Sequence, residues 1–102
     1  AERMGLNLSA TLDVIEQSSG QSWIGSDRMR RAVAGDHVPR AHMTLLQKDT
    51  QLAVDAARSV GFEGPLGARA AAVFAQASAA GLGDLDDGAL LELMRGRGAQ
   101  SR

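Results

Sequence analysis

The chain has 102 residues, 44% hydrophobic and only 3% aromatic, with a formal charge of -1 and no cysteine. That length holds one domain with a modest core, and the near-zero charge gives no electrostatic case for nucleic acid or an anionic membrane as partner. Without cysteine there is no disulfide framework or thiol nucleophile, no stretch approaches the ~20 apolar residues of a membrane span, and no secretory signal is present. A cytoplasmic location fits these features.

Ala1 to Gly5 reads as the last turn of a helix closed by glycine, as if the start were cut. Asn7 or Ser9 can cap a first helix carrying Leu8, Leu12 and Ile15, and Ser18-Ser19-Gly20 ends it. Ser22 offers a cap for a second helix through about Ala34, with the single tryptophan, Trp23, as packing anchor and Gly35 as the stop. Pro39 makes 35–40 a connection. The run from His42 to Val60 has neither glycine nor proline and reads as one long central helix.

At ~100° per residue, Leu45, Leu46, Leu52, Ala53, Ala56 and Val60 gather on one side of that helix. Asp49 falls in the middle of this stripe and Lys48 at its edge, where an unpaired carboxylate is costly to bury. Two readings of the step stay open. Either Asp49 meets a structural donor while Lys48 reaches water along its aliphatic stem, or the edge borders a ligand cleft.

Pro65 fits the first turn of a fourth helix, whose Leu66, Ala70, Val73, Phe74 and Ala77 share a face. Gly81 and Gly83 end it. Asp84, Asp86 and Asp87 place negative charge at the start of a last helix with Leu90, Leu91, Leu93 and Met94 on its apolar side. A polar tail follows from Gly96. The expected architecture is all-α: a compact bundle of about five helices over 1–95, then a mobile tail, 96–102.

Sites of common chemistry are scarce. His37 and His42 with Asp36 fit no metal-ligand spacing, and the 84–87 acidic run fails as a calcium loop at Gly88 and Arg95. Asn7-Leu8-Ser9 matches a glycosylation acceptor but serves better as a cap. Arg28, Arg30, Arg31 and Arg40 invite a helix-turn-helix reading that the acidic remainder opposes. Gly81-Leu82-Gly83 lacks the third glycine of a dinucleotide fingerprint, so this segment cannot bind a dinucleotide by itself in the Rossmann manner.

From Gly35 to Met94, GDHVPRAHMTLLQKDTQLAVDAARSVGFEGPLGARAAAVFAQASAAGLGDLDDGALLELM, the sequence resembles the C-terminal helical domain of the β-hydroxyacid dehydrogenases, the family that includes 3-hydroxyisobutyrate dehydrogenase. The match extends upstream through Gly5-Leu6 and Ser22-Trp23. The elements Gly35-Asp36, Pro39-Arg40, Lys48-Asp49 and Asp86-Asp87 look most like the branch acting on L-threonate and related sugar acids.

The resemblance implies a fold like the C-terminal domain of 6-phosphogluconate dehydrogenase. It also implies a partner Rossmann domain on the N-terminal side, assembly into homodimers or homotetramers, and oxidation of a small hydroxy acid with NAD or NADP. By the same likeness Lys48 is a cofactor contact and Asp49 lies near the substrate. The family's catalytic lysine sits upstream of these residues, so no catalytic residue and no metal ligand is expected here, and the 102 residues alone should be inactive. Relatives carry an aromatic residue eight positions before the aspartate; here it is Ala41, which widens the pocket and suits a hydroxylated acid. The alternative is a free-standing helical self-association module.

Overall fold

The computed structural model describes residues 1–96. They fall into two compact units, Ala1–His37 and the residues from Val38 onward. All regular structure among them is helical, with one isolated bridge between His42 and Asp86.

The first unit opens with a 3-10 turn, Glu2–Met4, closed by Gly5 in the left-handed region. Helix α1, Leu8–Glu16, is capped by Asn7, whose side chain accepts from the Ala10 amide, and α2, Trp23–Val33, by Ser22, which accepts from Gly25. Between them Leu12 and Ala32 are buried. Trp23 is not the expected anchor: it is 72% exposed. It stands at the first residue of α2, and the two helices are instead fastened by charge.

That fastening centres on Arg30. Its guanidinium donates to the Ser9 carbonyl and hydroxyl and pairs with Asp13 and Glu16, each at 2.6 Å. The hydrogen bond from Arg30, helped by one from Ser26, holds the Glu16 carboxyl below its ordinary pKa, and the bonds to Glu16 and Asp13 raise that of Arg30. Arg28 and Arg31 both reach Asp27, at 2.6 and 3.3 Å. Arg28, Arg30 and Arg31, three of the arginines that suggested a basic patch, therefore each meet a carboxylate.

In the second unit, the long helix α3, Met43–Ser59, packs against α4, Pro65–Ala77, across the connection from Val60 to Gly64. Pro65 occupies the first turn of α4, where its missing amide costs nothing. Gly67 lets the helices approach closely, since a Cβ there would sit 3.3 Å from a Val54 methyl. A π-helical turn, Ser78–Leu82, continues α4 and contains Gly81 at φ 88°. A 3-10 turn, Asp87–Ala89, leads into the short α5, Leu90–Met94. The core is small: Met43, Ala77, Leu82 and Ala89 are buried, with Phe74, Leu85, Leu90 and Leu93 packed around them.

Two helical faces differ from the expected ones. On α3 the side turned toward α4 carries Met43, Gln47, Thr50, Val54 and Ala57, buried or half-buried, while the predicted stripe of Leu45, Leu52, Ala53, Ala56 and Val60 is exposed. Small residues on α4 favour a close approach, and the slimmer arc of α3 fits it. On α4, Val73, Phe74 and Ala77 of the expected face are buried or half-buried, but Leu66 and Ala70 are exposed and Ala71 is buried instead. The expected tail, beyond Gly96, lies outside the described residues. No helix among them is long and apolar enough to cross a membrane.

Candidate functional site

The N-terminus of α3 has no side-chain cap, because His42 makes none. Its first donors are met instead by the segment after the π-turn: Met43 donates to the Leu85 carbonyl at 2.9 Å and Thr44 to that of Gly83 at 3.2 Å. This satisfies amides that every helix leaves without an internal partner. Asp86 completes the clasp. Its carboxylate is 1% exposed and accepts from the amides of Arg40 at 2.9 Å, Ala41 at 3.4 Å and Gly88 at 3.1 Å, while Asp87 donates to the Ala41 carbonyl.

The acidic run does stand at the start of the last helical segment, where Asp86 caps the 3-10 turn through the Gly88 amide, but Asp86 is also a buried acceptor that ties two segments 46 residues apart. Ala41 is held through its backbone by Asp86 and Asp87, so the position that the resemblance puts in a substrate pocket is rigidly placed.

One turn into α3, an open depression of about 430 Å³ is lined by Thr44, Gln47, Lys48, Gln51 and Leu52, with Ala71 and Ala75 of α4 on its far side. Lys48 contributes the only charge of that lining. Its ammonium lies 3.3 Å from the Asp49 carboxylate, and both side chains are more than half exposed, 62% and 56%. Asp49 is therefore not buried in an apolar stripe, because the stripe itself faces outward. Solvent screens the pair, so it adds little to stability and either partner can turn to a ligand at small cost. Asp49 stands outside the depression, about 100° further round the helix.

Chemically, the lining suits a hydroxylated or anionic ligand. Thr44, Gln47 and Gln51 are neutral hydrogen-bonding groups around one cation, on a floor of small side chains. Ser78 donates to the Gln47 carbonyl oxygen at 2.7 Å, and Gln51 donates to Asp55 at 2.9 Å. The sequence pointed to Lys48 but not to Gln47, Ser78 or Asp86. Helical spacing around Lys48 finds neither of the first two, because Gln47 takes its orientation from Ser78, 31 residues away; the last was read only as charge at a helix start.

A second cleft of about 370 Å³ lies toward the other end of the α3–α4 pair, lined by Val54, Phe62, Pro65 and neighbours, with Arg58 and Glu63 paired at 3.5 Å beside it. It is the more apolar of the two and has none of the amide side chains that stand beside Lys48, so the chemistry favours the depression at Lys48. Among the described residues no group of three or more His, Cys, Asp or Glu side chains is arranged to hold a metal ion.

Among the described residues, the second unit thus presents an exposed ledge that carries a lysine beside amide and hydroxyl side chains. The family model for the NAD-binding segment of NADP-dependent 3-hydroxyisobutyrate dehydrogenase matches residues 1–94, and the chain belongs to that family of β-hydroxyacid dehydrogenases. L-threonate dehydrogenase of Escherichia coli K12 is 36% identical over 96 residues, which cover 94% of this chain and 32% of that protein. A probable 3-hydroxyisobutyrate dehydrogenase of Mycobacterium bovis is 32% identical over 104 residues, covering 95% and 35%.

Among solved structures, the 3-hydroxyisobutyrate dehydrogenase of Salmonella typhimurium superimposes with a TM-score of 0.88 at 36% identity, over 91% of this chain and 33% of that one. The Mycobacterium tuberculosis enzyme with L-serine gives 0.82 at 32% identity, over 93% and 35%. The helical fold matches these neighbours, as the sequence led one to expect. The chain spans about a third of the length of the relatives it matches.

Proposed function

We propose that these residues form the helical closing domain of an NAD(P)-dependent β-hydroxyacid dehydrogenase acting on a small hydroxy or sugar acid, with L-threonate as the leading candidate. Lys48 is the cofactor contact and Asp49 the residue nearest the substrate. The carrying observation is the position of Lys48: an exposed ammonium on the rim of a depression that also carries hydroxyl and amide side chains, in a chain whose family is defined by NAD binding. A dinucleotide rich in hydroxyl, amide and phosphate oxygens fits three ammonium donors beside neutral amides.

The depression holds one edge of such a ligand. The rest lies against the protein's own dinucleotide-binding domain, the first partner this reading requires. When bound, the nicotinamide accepts hydride from the hydroxyl-bearing carbon of the acid. The residues here bind and orient: Lys48 supplies a positive edge, Ala41 leaves room for a polar chain, and Asp49 offers an acceptor to substrate hydroxyls. The proton leaving the hydroxyl goes to a base on another part of the protein, so the 102 residues alone have no turnover. The exposed apolar arc of Leu45, Leu52 and Val60 supports burial against another surface, in a homodimer or homotetramer.

The test uses the intact dehydrogenase. Lys48→Ala removes a charged hydrogen bond of about 1.5 to 3 kcal/mol and should raise the cofactor Kd roughly tenfold to a hundredfold, with the melting temperature unchanged. An unaltered Kd by titration refutes the assignment. Asp49→Leu should lower kcat/KM for the acid without loss of stability, and a shift in melting temperature with unchanged kinetics would return Asp49 to a structural role.

A further inference from the structure

We infer that Gln47 is a second ligand-reading residue of this depression, locked in orientation by Ser78, and that with Lys48 and Thr44 it selects an oxyanion, either a cofactor phosphate or a substrate carboxylate. The inference rests on the reading of Lys48 given above.

A glutamine amide has one end that accepts and one that donates. Here the accepting end is committed, because the Ser78 hydroxyl donates to Oε1 at 2.7 Å. The donating end, Nε2, has no protein partner among the described residues, and the side chain lines the depression beside Lys48. Ser78 therefore does more than join two helices. It fixes which face of the amide the depression meets, and that face carries only donors.

Ser78 opens the turn that begins where α4 ends, which Gly81 kinks out of helical geometry at φ 88°. Just beyond that turn, Gly83 brings a second constraint. A Cβ there would lie 3.1 Å from the Thr44 methyl, so the glycine leaves room for Thr44 at the mouth of the same depression. Two contacts from one irregular segment thus set the two α3 side chains that flank Lys48. With the hydroxyl of Thr44 free to donate, ammonium, amide and hydroxyl form a donor set, which selects acceptors that carry negative charge.

Gln47→Glu gives a discriminating test. A glutamate keeps the length of the side chain and still accepts from Ser78, so the α3–α4 contact survives, but the donor end becomes a second carboxylate oxygen. The intact dehydrogenase, isotopically labelled, would be titrated with inorganic phosphate, L-threonate, NAD and NADP, following the Gln47 side-chain amide and the residues around Lys48 by NMR. The expected result is a ligand-induced shift of that amide in the unsubstituted chain and at least about tenfold weaker anion binding in Gln47→Glu. Ser78→Ala, which frees the amide to flip, should weaken binding by less.

A shift with phosphate and the dinucleotides but not L-threonate assigns the ledge to the cofactor; the reverse assigns it to the substrate carboxylate. If binding depends on Lys48, as shown by its loss in Lys48→Ala, but Gln47→Glu and Gln47→Leu bind like the unsubstituted chain, the inference is overturned and the role of Lys48 stands. If Lys48→Ala binds normally, the proposed function falls and this inference with it. Melting temperatures of all variants separate these outcomes from misfolding.

Discussion

Replacing Asp86 by alanine tests the clasp at the start of α3. The substitution removes a buried acceptor from three backbone amides, those of Arg40, Ala41 and Gly88, at 2.9, 3.4 and 3.1 Å. The bond to Ala41 is at the long limit of a hydrogen bond and counts for little. The other two, each made to a carboxylate, are worth about 1.5 to 3 kcal/mol apiece, giving a loss of roughly 3 to 6 kcal/mol. That is a large share of the ~5 to 15 kcal/mol typical of a domain. At about 4 to 8 °C per kcal/mol for this size, the melting temperature by circular dichroism should fall by at least about 12 °C. Asp86→Asn keeps an acceptor for Arg40 but sets an amide against the Gly88 N–H, so it should lose only about 1 to 2 kcal/mol. Amide exchange should quicken at Arg40 and Gly88, and with them at Met43 and Thr44. If Asp86→Ala melts within about 4 °C of the unsubstituted chain, the clasp does not hold the helix start and the reasoning fails.

Two further expectations concern the rest of the fold. Gly81→Ala forces a side chain into the left-handed region at φ 88° and should cost about 1 to 2 kcal/mol, read as a lower denaturant midpoint at unchanged slope; an unaltered midpoint would show that the π-turn relaxes freely. In the first unit, the Glu16 pKa is lowered from 4.5 in the fold, chiefly by Arg30. Its contribution is therefore complete above pH 4.5 and lost as pH falls through the lowered value. Arg30, whose pKa is raised further by Glu16 and Asp13, keeps its share until strongly alkaline pH. Acid titration of amide exchange in α1 and α2 should show this loss in the natural chain and not in Glu16→Gln; parallel curves would remove the ion pair from the account.

Features set by neighbours in sequence were legible. Asn7, Ser22 and Pro65 mark helix starts because capping and the missing proline amide act within one turn, and the all-helical class followed from periodicity and glycine breaks. The buried arc of α3 was not. Two arcs compete on that helix, and counting large apolar residues picks the one with Leu45, Leu52 and Val60, whereas packing picks the one that fits the small residues of α4. The same error placed Asp49 in an apolar setting. Lys48 stood out through the family resemblance rather than its spacing, and Gln47 did not stand out, because its meaning depends on Ser78, 31 residues away. Asp86 was hidden among three aspartates, and only the tertiary fold distinguishes them.

The clasp has a consequence for the order in which the second unit can form. The α3–α4 pair joins neighbours in sequence across one short turn and can assemble as soon as residue 77 is available. The start of α3 cannot be finished then, because its donors wait for carbonyls at 83 and 85 and its anchor for a carboxylate 46 positions downstream. Closing so long a loop carries an entropic cost that only the completed packing repays. During synthesis the first turn of α3, with Thr44 and Gln47, therefore stays frayed until the last helix emerges. The ledge beside Lys48 is among the last parts of the unit to take its shape, so a chain halted before residue 86 would display the lysine without the geometry around it.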